Sequence, residues 1–245
     1  MTRVAISQSN YIPWKGYFDL LGSVDELMLY DEVQYTRRDW RNRNKIKTPA
    51  GLKWLTIPVQ AKGKYHQRID ETLITGTEWA GNHLSTLRHM YASTPHFATY
   101  LPRLEALYGA PAERLSDVNR AFIELVVADL GLTTKITWST DYDVPEARAA
   151  RTDDGDATEL LAALSEAAGA STYVSGPAAK VYLQHDRFDR RDIAVEYFAY
   201  GPYPEYEQPH PPFEHGVSIL DLLFCTGPEA RSHLRAAAEP GARRA

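Results

Sequence analysis

The sequence holds one cysteine, Cys225, in 245 residues. A lone cysteine excludes an internal disulfide and a cysteine-based metal centre. There is no apolar run long enough to span a bilayer. The N-terminus, MTRVAISQSNYIPW, lacks an apolar stretch of signal-peptide length. Together these absences predict a cytoplasmic protein. The familiar catalytic signatures are missing too: no G-x-x-x-x-G-K-[ST], no G-x-G-x-x-G, no G-x-S-x-G and no H-E-x-x-H. The eight histidines do not cluster at ligand spacing, so no metal site is expected. Positive charge is also scarce overall, 27 Lys and Arg against 32 Asp and Glu. That balance argues against a general nucleic-acid coat protein, but leaves room for one local contact with a nucleotide or a tRNA end.

What positive charge there is collects in one place. Tyr30 to Lys47 reads YDEVQYTRRDWRNRNKIK, and from Gln34 to Lys47 it carries six cations and one acid, a local charge of +5. The whole chain is −5, so everything outside that stretch sums to −10. Such a block repels itself unless an anion or acid partner neutralises it. Written as one strand, Arg37, Asp39, Arg41, Arg43, Lys45 and Lys47 share a face, and Trp40, Asn42, Asn44 and Ile46 share the other. The stretch is therefore expected to bind an anion, phosphate above all. The plainer explanation is an edge strand that uses its charges against aggregation. That explanation has no use for Trp40 or for both asparagines.

The rest of the chain reads as α/β. Arg3 to Ser7 is a short buried strand. Gln8 to Gly16 is a loop punctuated by Pro13 and Gly16, Gly16 to Leu21 a helix, and Asp25 to Tyr30 a second strand. Strand, loop, helix and strand open a Rossmann-like mixed or parallel sheet flanked by helices. Ligands of such sheets sit outside the carboxyl ends of the strands. Two loops leave those ends, Gln8 to Lys15 and Asp31 to Arg43, so they are expected to border one cavity.

Leu52 to Val59 is expected as a further strand of that sheet, and Asp70 to Ile74 as another. A helical middle region follows, with helices over Trp79 to Ala92, Thr99 to Tyr108 and Leu115 to Leu130. Later come strands at Thr134 to Thr140, Ser171 to Ser175 and Ile193 to Ala199, and helices at Thr158 to Ala168 and Ser218 to Phe224. Glu146 to Asp156 is polar and suits a lid or boundary. The expected organisation is a single domain over 1–227 and a flexible tail over 228–245.

Several candidates have two readings. Asp31 and Glu32 end a strand beside the cationic block. Asp31 is either a base toward an amine or hydroxyl, or the counter-ion that orders the Arg37–Arg38 loop. Ser175 before Gly176-Pro177 is either a nucleophile or part of a turn. Glu205 and Tyr206, flanked by prolines, line a pocket or stiffen a surface loop. His66 is a candidate base or a solvated loop histidine. Cys225 follows LLF and reads as a small buried hydrophobe.

Gln8-x-x-Tyr11-x-Pro13-Trp14-x-Gly16-Tyr17-Phe18, Asp31-x-Val33-Gln34-Tyr35 and Trp40-Arg41-Asn42-Arg43-Asn44-x-Ile46-Lys47 together resemble the WbqC-like proteins. The resemblance continues through Trp54-Leu55-Thr56-x-Pro58-Val59, Ser175-Gly176-Pro177-Ala178-Ala179, Tyr203-Pro204-Glu205-Tyr206 and Ser218 to Phe224. It covers Val4 to roughly Gly227. Ser9 and Cys225 stand where relatives often have Pro and Asn. The family takes its name from bacterial surface-polysaccharide clusters, where such genes lie near aminosugar genes. The resemblance thus implies modification of an amino group, in a polysaccharide or natural-product pathway. The opening order of elements is also similar to nucleotidylyl transferases and class I synthetases, but their His-x-Gly-His element has no histidines here.

These readings converge on a transferase that joins an acyl or aminoacyl group, glycyl among them, to a primary amine of a sugar or small metabolite. Asp31 is its expected base, with Gln8 and Tyr35 orienting the substrate. Arg37, Arg38, Arg41 and Arg43 would hold phosphate, since guanidinium groups bond its oxygens in pairs. Tyr11, Trp14 and Trp40 would wall the pocket, and Lys15, Asn42, Ser175, Glu205 and Tyr206 would add substrate contacts. The donor would be an activated acyl group, an aminoacyl-tRNA or a thioester. The alternatives are an ATP-using ligase or nucleotidylyl transferase with Mg²⁺, and a non-catalytic nucleotide-sugar-binding partner protein.

Overall fold

In the computed structural model, which describes residues 1–151 and 157–235, five short strands form one parallel sheet. They are β1 (Arg3–Ser7), β2 (Glu26–Leu29), β5 (Lys135–Trp138), β6 (Thr172–Ser175) and β7 (Ala194–Tyr197). Their spatial order is β5-β2-β1-β6-β7, and every pairing is parallel. Thus β1 is central, the chain winds outward to β5, then returns to the other side of β1 for β6 and β7. That reversal is the topological switch of a doubly wound α/β sheet.

The strand sequences explain why both faces are covered. In β2, Leu27 and Leu29 face one hydrophobic cluster, while Met28 and then Tyr30 face the other. Ala5 and Val174 join the first, Ile6 and Tyr173 the second. Side chains alternate across a strand, so a strand apolar at successive positions needs a layer on each side. The first layer holds α1 (Lys15–Gly22), α2 (Glu78–Tyr91), α3 (Phe97–Gly109), α4 (Leu115–Asp129) and α8 (Ile219–Thr226). The second holds α5 (Pro145–Ala149), α6 (Thr158–Ala167) and α7 (Asp186–Asp189). In α4, Leu115, Val118, Phe122, Ile123 and Val126 are buried at helical spacing. Each such side chain contributes about 1.5–3 kcal/mol when it leaves water.

The α/β class, the parallel sheet and the helical middle region are as the sequence predicts; several details differ. The cationic stretch is not one strand. Regular structure begins only at β3 (Arg43–Thr48), after a run of turns that includes Arg38 at φ 61°. Its partner β4 (Gly51–Thr56) is not in the main sheet; the two form a separate antiparallel hairpin. A short connection at 49–50 favours that local pairing over a crossover to a parallel sheet. Residues 70–74 form no strand, only single bridges of Leu73 with Arg114 and Ile74 with Val59. Of the polar stretch 146–156, the first part is helix α5 and 152–156 lies outside the described residues. The expected tail is packed as far as Arg235. Gly227–His233 is 3-10 helix, Ala230 and Leu234 are buried, and Arg235 N donates to Asp19 Oδ1 at 2.9 Å. No helix among the described residues is long and apolar enough to cross a membrane.

Candidate functional site

A cavity of about 680 Å³ opens at the carboxyl ends of β1 and β6. Its lining includes Ser7, the last residue of β1, and Gln8 after it, Ser175, the last residue of β6, and Gly176, Ala178 and Ala179 after it, and Tyr30, Tyr173, Tyr182 and Gln184. This is the switch point, where adjacent loops leave in opposite directions and part to leave a crevice. Ser175 Oγ accepts a hydrogen bond from Tyr173 Oη at 3.3 Å. A side chain added at Gly176 would meet Tyr200 Oη at 3.7 Å.

The loop after β1 is fastened from behind by the start of the cationic stretch. Arg41 donates to Gln8 Oε1 at 2.8 Å and to Asn10 Oδ1. Tyr11 N donates to Trp40 O at 3.1 Å. Asn44 Nδ2 donates to the carbonyls of Tyr11 at 3.1 Å and Ile12 at 2.8 Å. Asp31 Oδ1 accepts from Ser9 N at 2.8 Å, and Oδ2 from Ser9 Oγ and Ser116 Oγ, each at 2.6 Å. Asn119, on α4, bonds both Ser9 Oγ and Arg41 O at 2.9 Å. The two loops therefore meet, as their places at strand ends require. Ile12 holds a φ of 38° inside this web. For a β-branched residue that conformation costs about 1–3 kcal/mol, which the surrounding bonds must offset.

The individual side chains separate into three groups. Gln8 and Ser175 line the cavity, and Arg41 stands directly behind Gln8. A second group belongs to the framework. Asp31 is 1% exposed and both its oxygens are engaged, so it is not placed as a free base; its carboxylate does not pair with Arg37 or Arg38 either. Burial pushes its pKa up, and the serine hydrogen bonds and the Arg41 charge oppose that rise. It lines a smaller crevice of about 230 Å³ beside Ser116 and Trp138. Tyr11 is fully buried, its hydroxyl 2.9 Å from His83 Nδ1 and 2.6 Å from Tyr108 Oη, so it walls no pocket. Asn42 is buried and donates to Ile57 O at 2.8 Å. Tyr35 is buried, with its backbone N–H on Gln67 O. The framework absorbs these residues because a loop that turns beneath the sheet must satisfy its backbone groups.

The third group lies apart from the cavity. Arg37, Arg38 and Trp40 are exposed, and Arg43 lies on the hairpin. Trp14 stacks near Tyr200 and Tyr203, with ring centroids at 5.5 and 6.0 Å, and covers Gly16 so closely that a Cβ there would fall 2.2 Å from its ring. Lys15 is 2% exposed, its Nζ 5.1–5.4 Å from the ring centres of Tyr203, Tyr206 and Phe213. Burial lowers its pKa to about 8, against the pull of Asp221 and Glu205. Tyr206 Oη donates to buried Asp221 at 2.7 Å, while Glu205 is exposed. His66 is exposed beside Tyr65, and Cys225 is partly buried, its thiol pKa raised by burial.

The model of the WbqC-like protein family matches residues 8–233, which include both fastened loops, the hairpin and the Lys15 cage. The chain belongs to the WbqC-like family. A curated relative, the uncharacterized protein Rv1507c of Mycobacterium tuberculosis (strain ATCC 25618 / H37Rv), is 47% identical over 236 residues, covering 96% of this chain and 98% of that protein. No solved structure matches.

Sequence reasoning found Gln8 and Ser175 but missed most of the cavity: Ser7, Tyr30, Tyr173, Gly176, Tyr182 and Gln184. The turn chemistry of Ser175-Gly176-Pro177 was the available signal. What was lacking was the strand order that brings β6 beside β1. The Ser116 and Asn119 anchors were hidden because they sit on an amphipathic helix that otherwise reads as core.

Proposed function

We propose that this WbqC-like protein is a transferase that moves an acyl or aminoacyl group, glycyl among them, onto the primary amine of an amino sugar or small metabolite. The phosphate-bearing substrate lies in the switch-point cavity. What supports this reading is that the cavity opens at the carboxyl ends of β1 and β6 and holds uncharged polar groups, Ser7, Gln8 and Ser175, with the Arg41 guanidinium 2.8 Å behind Gln8 Oε1. A volume of about 680 Å³ suits a nucleotide-sized ligand. Aminolysis of an ester or thioester needs no protein nucleophile. Holding the amine against the carbonyl supplies much of the rate, and the departing oxygen or sulfur takes the amine's proton. Gln8, Ser175 and Tyr182 then act as positioning groups, and the rigid bonding of Gln8 keeps that geometry fixed.

The test is titration calorimetry with nucleoside-diphosphate amino sugars, followed by mass spectrometry for an amide product with thioester or aminoacyl donors. Wild-type protein should bind and turn over. Ala178→Trp, at an exposed position on the cavity wall, should abolish binding without lowering the melting temperature. Binding unchanged by Ala178→Trp would remove the cavity from the reading. Release of AMP or pyrophosphate would replace acyl transfer by an ATP-using ligase or nucleotidylyl transferase.

A further inference from the structure

Residues 36–68 contain ten Lys and Arg and one acid, Asp39, a local charge of +9. The whole chain is −5, so the remainder carries −14. On the outer face of the β3–β4 hairpin this charge is interleaved with aromatic rings. Trp40 is 42% exposed and Trp54 38%. Their ring centroids lie 5.3 Å apart at 42°. The Arg43 guanidinium sits 4.1 Å from the Trp54 ring centre, and Lys45 Nζ lies 5.7 and 5.1 Å from the centres of Trp40 and Trp54. Arg37, Arg38, Arg43 and Lys45 enter no ion pair among the described residues. Edge protection accounts for the cations but not for two tryptophans left half in water, since a ring of that size gains most by burial.

Single-stranded nucleic acid needs both features together. Cations follow its phosphates, and bases stack on aromatic faces. A compact anion such as inorganic phosphate has no use for the rings, and a folded duplex keeps its bases stacked on one another. The patch is tied to the cavity wall through the backbone. Trp40 is the chain neighbour of Arg41, whose guanidinium meets Gln8 on the cavity wall.

We propose that the Trp40–Trp54 face, with Arg37, Arg38, Arg43 and Lys45, docks a single-stranded RNA end whose terminal ribose carries the acyl group as an ester. This rests on the transferase reading above and names its donor. In the transfer the amine nitrogen attacks the ester carbonyl, the carbon–nitrogen bond forms, the carbon–oxygen bond to the ribose breaks, and the amine's proton passes to the released ribose hydroxyl.

The experiment is fluorescence anisotropy with a labelled single-stranded RNA octamer ending in CCA, against a base-free polyphosphate and anionic phospholipid vesicles. Stacking is worth about 1–3 kcal/mol per base, so Trp40→Ala and Trp54→Ala should each weaken binding roughly five- to a hundredfold. Trp54→Tyr, which keeps a stacking face, should retain most of the affinity; a melting curve on each variant checks the fold. With about four phosphate contacts, log affinity should fall against log salt with a slope of about −3. The pair Arg43→Gln and Lys45→Gln should roughly halve that slope. Ring-independent binding, with polyphosphate or vesicles competing as well as RNA, overturns the inference. Loss of RNA binding with transfer from a thioester intact overturns it while sparing the transferase. Ring-dependent RNA binding without transfer from any donor upholds the surface and overturns the transferase reading.

Discussion

The cationic stretch contains two kinds of positive charge that look alike in sequence. Arg41 and Lys47 are fastened: Arg41 is held by Gln8 and Asn10, and Lys47, 3% exposed, donates to Pro212 O. Arg37, Arg38, Arg43 and Lys45 have no carboxylate partner among the described residues; Arg37 and Arg38 are exposed, Arg43 donates to the carbonyl of Arg38 in the adjoining turn and lies across the Trp54 ring, and Lys45 Nζ lies near the Trp40 and Trp54 rings. The first kind closes a framework around the loop after β1. The second leaves its field to a ligand. Local charge density therefore measures how much cation is present, but not how much remains free once the backbone carbonyls and amides of neighbouring loops have been satisfied.

Asp31 is the buried carboxyl group of the fastened half. Asp31→Ala removes an acceptor from Ser9 N, Ser9 Oγ and Ser116 Oγ at once. Leaving buried partners unpaired in this way costs about 3–5 kcal/mol. A melting temperature lowered by roughly ten degrees is expected for a domain of this size. Asp31→Asn keeps the shape and some of the bonds and should lose less. If Asp31→Asn instead keeps full stability and ligand affinity while kcat collapses, Asp31 is a base after all and the framework assignment fails.

Arg41→Ala comes next. Its two charge-assisted bonds hold Gln8 and Asn10, and each such bond is worth about 1.5–3 kcal/mol. Stability and cavity affinity should fall together, because Gln8 loses its support. A pure loss of affinity with an unchanged melting temperature would move Arg41 to the free half.

How far this division could be read from residues depends on the scale of the signal. The sheet was legible because strand apolarity and the turn residues between elements are local properties. RVAIS and STYVS announce strands, and Gly169 ends a helix, whatever their neighbours. The meeting of the two loops, through Ser9 with Asp31 and Gln8 with Arg41, follows from the rule for parallel sheets. The hairpin was misplaced in the main sheet because apolar alternation in LKWLTIPV does not name its partner strand. The surroundings of Asp31, Tyr11 and Asn42 are hidden in the sequence for a different reason. A polar residue at a strand end has the same sequence appearance whether it faces a ligand or a buried serine. Only Ser116 and Asn119, 85 and 110 residues away from Asp31 and Ser9 respectively, decide it.

Lys15 sharpens the contrast from a third direction, as a cation buried among rings rather than fastened or free. Its pKa is lowered to about 8, burial being the main cause. A lysine depressed in the fold destabilises it below that pH, where the folded state carries a charge that the unfolded state keeps more cheaply. As pH rises from about 8 toward the unfolded value near 10.4, the folded state sheds the proton first and the penalty fades. Lys15→Met should therefore raise the melting temperature at pH 7, and the gain should shrink by about pH 10. A gain that is constant across that range would mean that Lys15 is as well solvated as the hairpin cations.

The smallest effect belongs to the free half, and Arg38 is its sharpest probe. Arg38 is exposed and holds φ at 61°, in the left-handed region. A non-glycine residue there costs about 1–2 kcal/mol. Glycine adopts the conformation freely, but gives the unfolded chain more freedom, a loss of about 0.5–1 kcal/mol. The two terms nearly cancel, so Arg38→Gly should leave the melting temperature unchanged or slightly raised. Arg38→Ala keeps the strain and should change stability by no more than about 0.5 kcal/mol, as surface substitutions do. Both should weaken the salt-dependent binding of single-stranded RNA to a similar extent, since both remove one cation. If Arg38→Gly costs several degrees, the Arg38 side chain is holding the turn rather than waiting for a ligand, and the division between fastened and free cations must be redrawn at that residue.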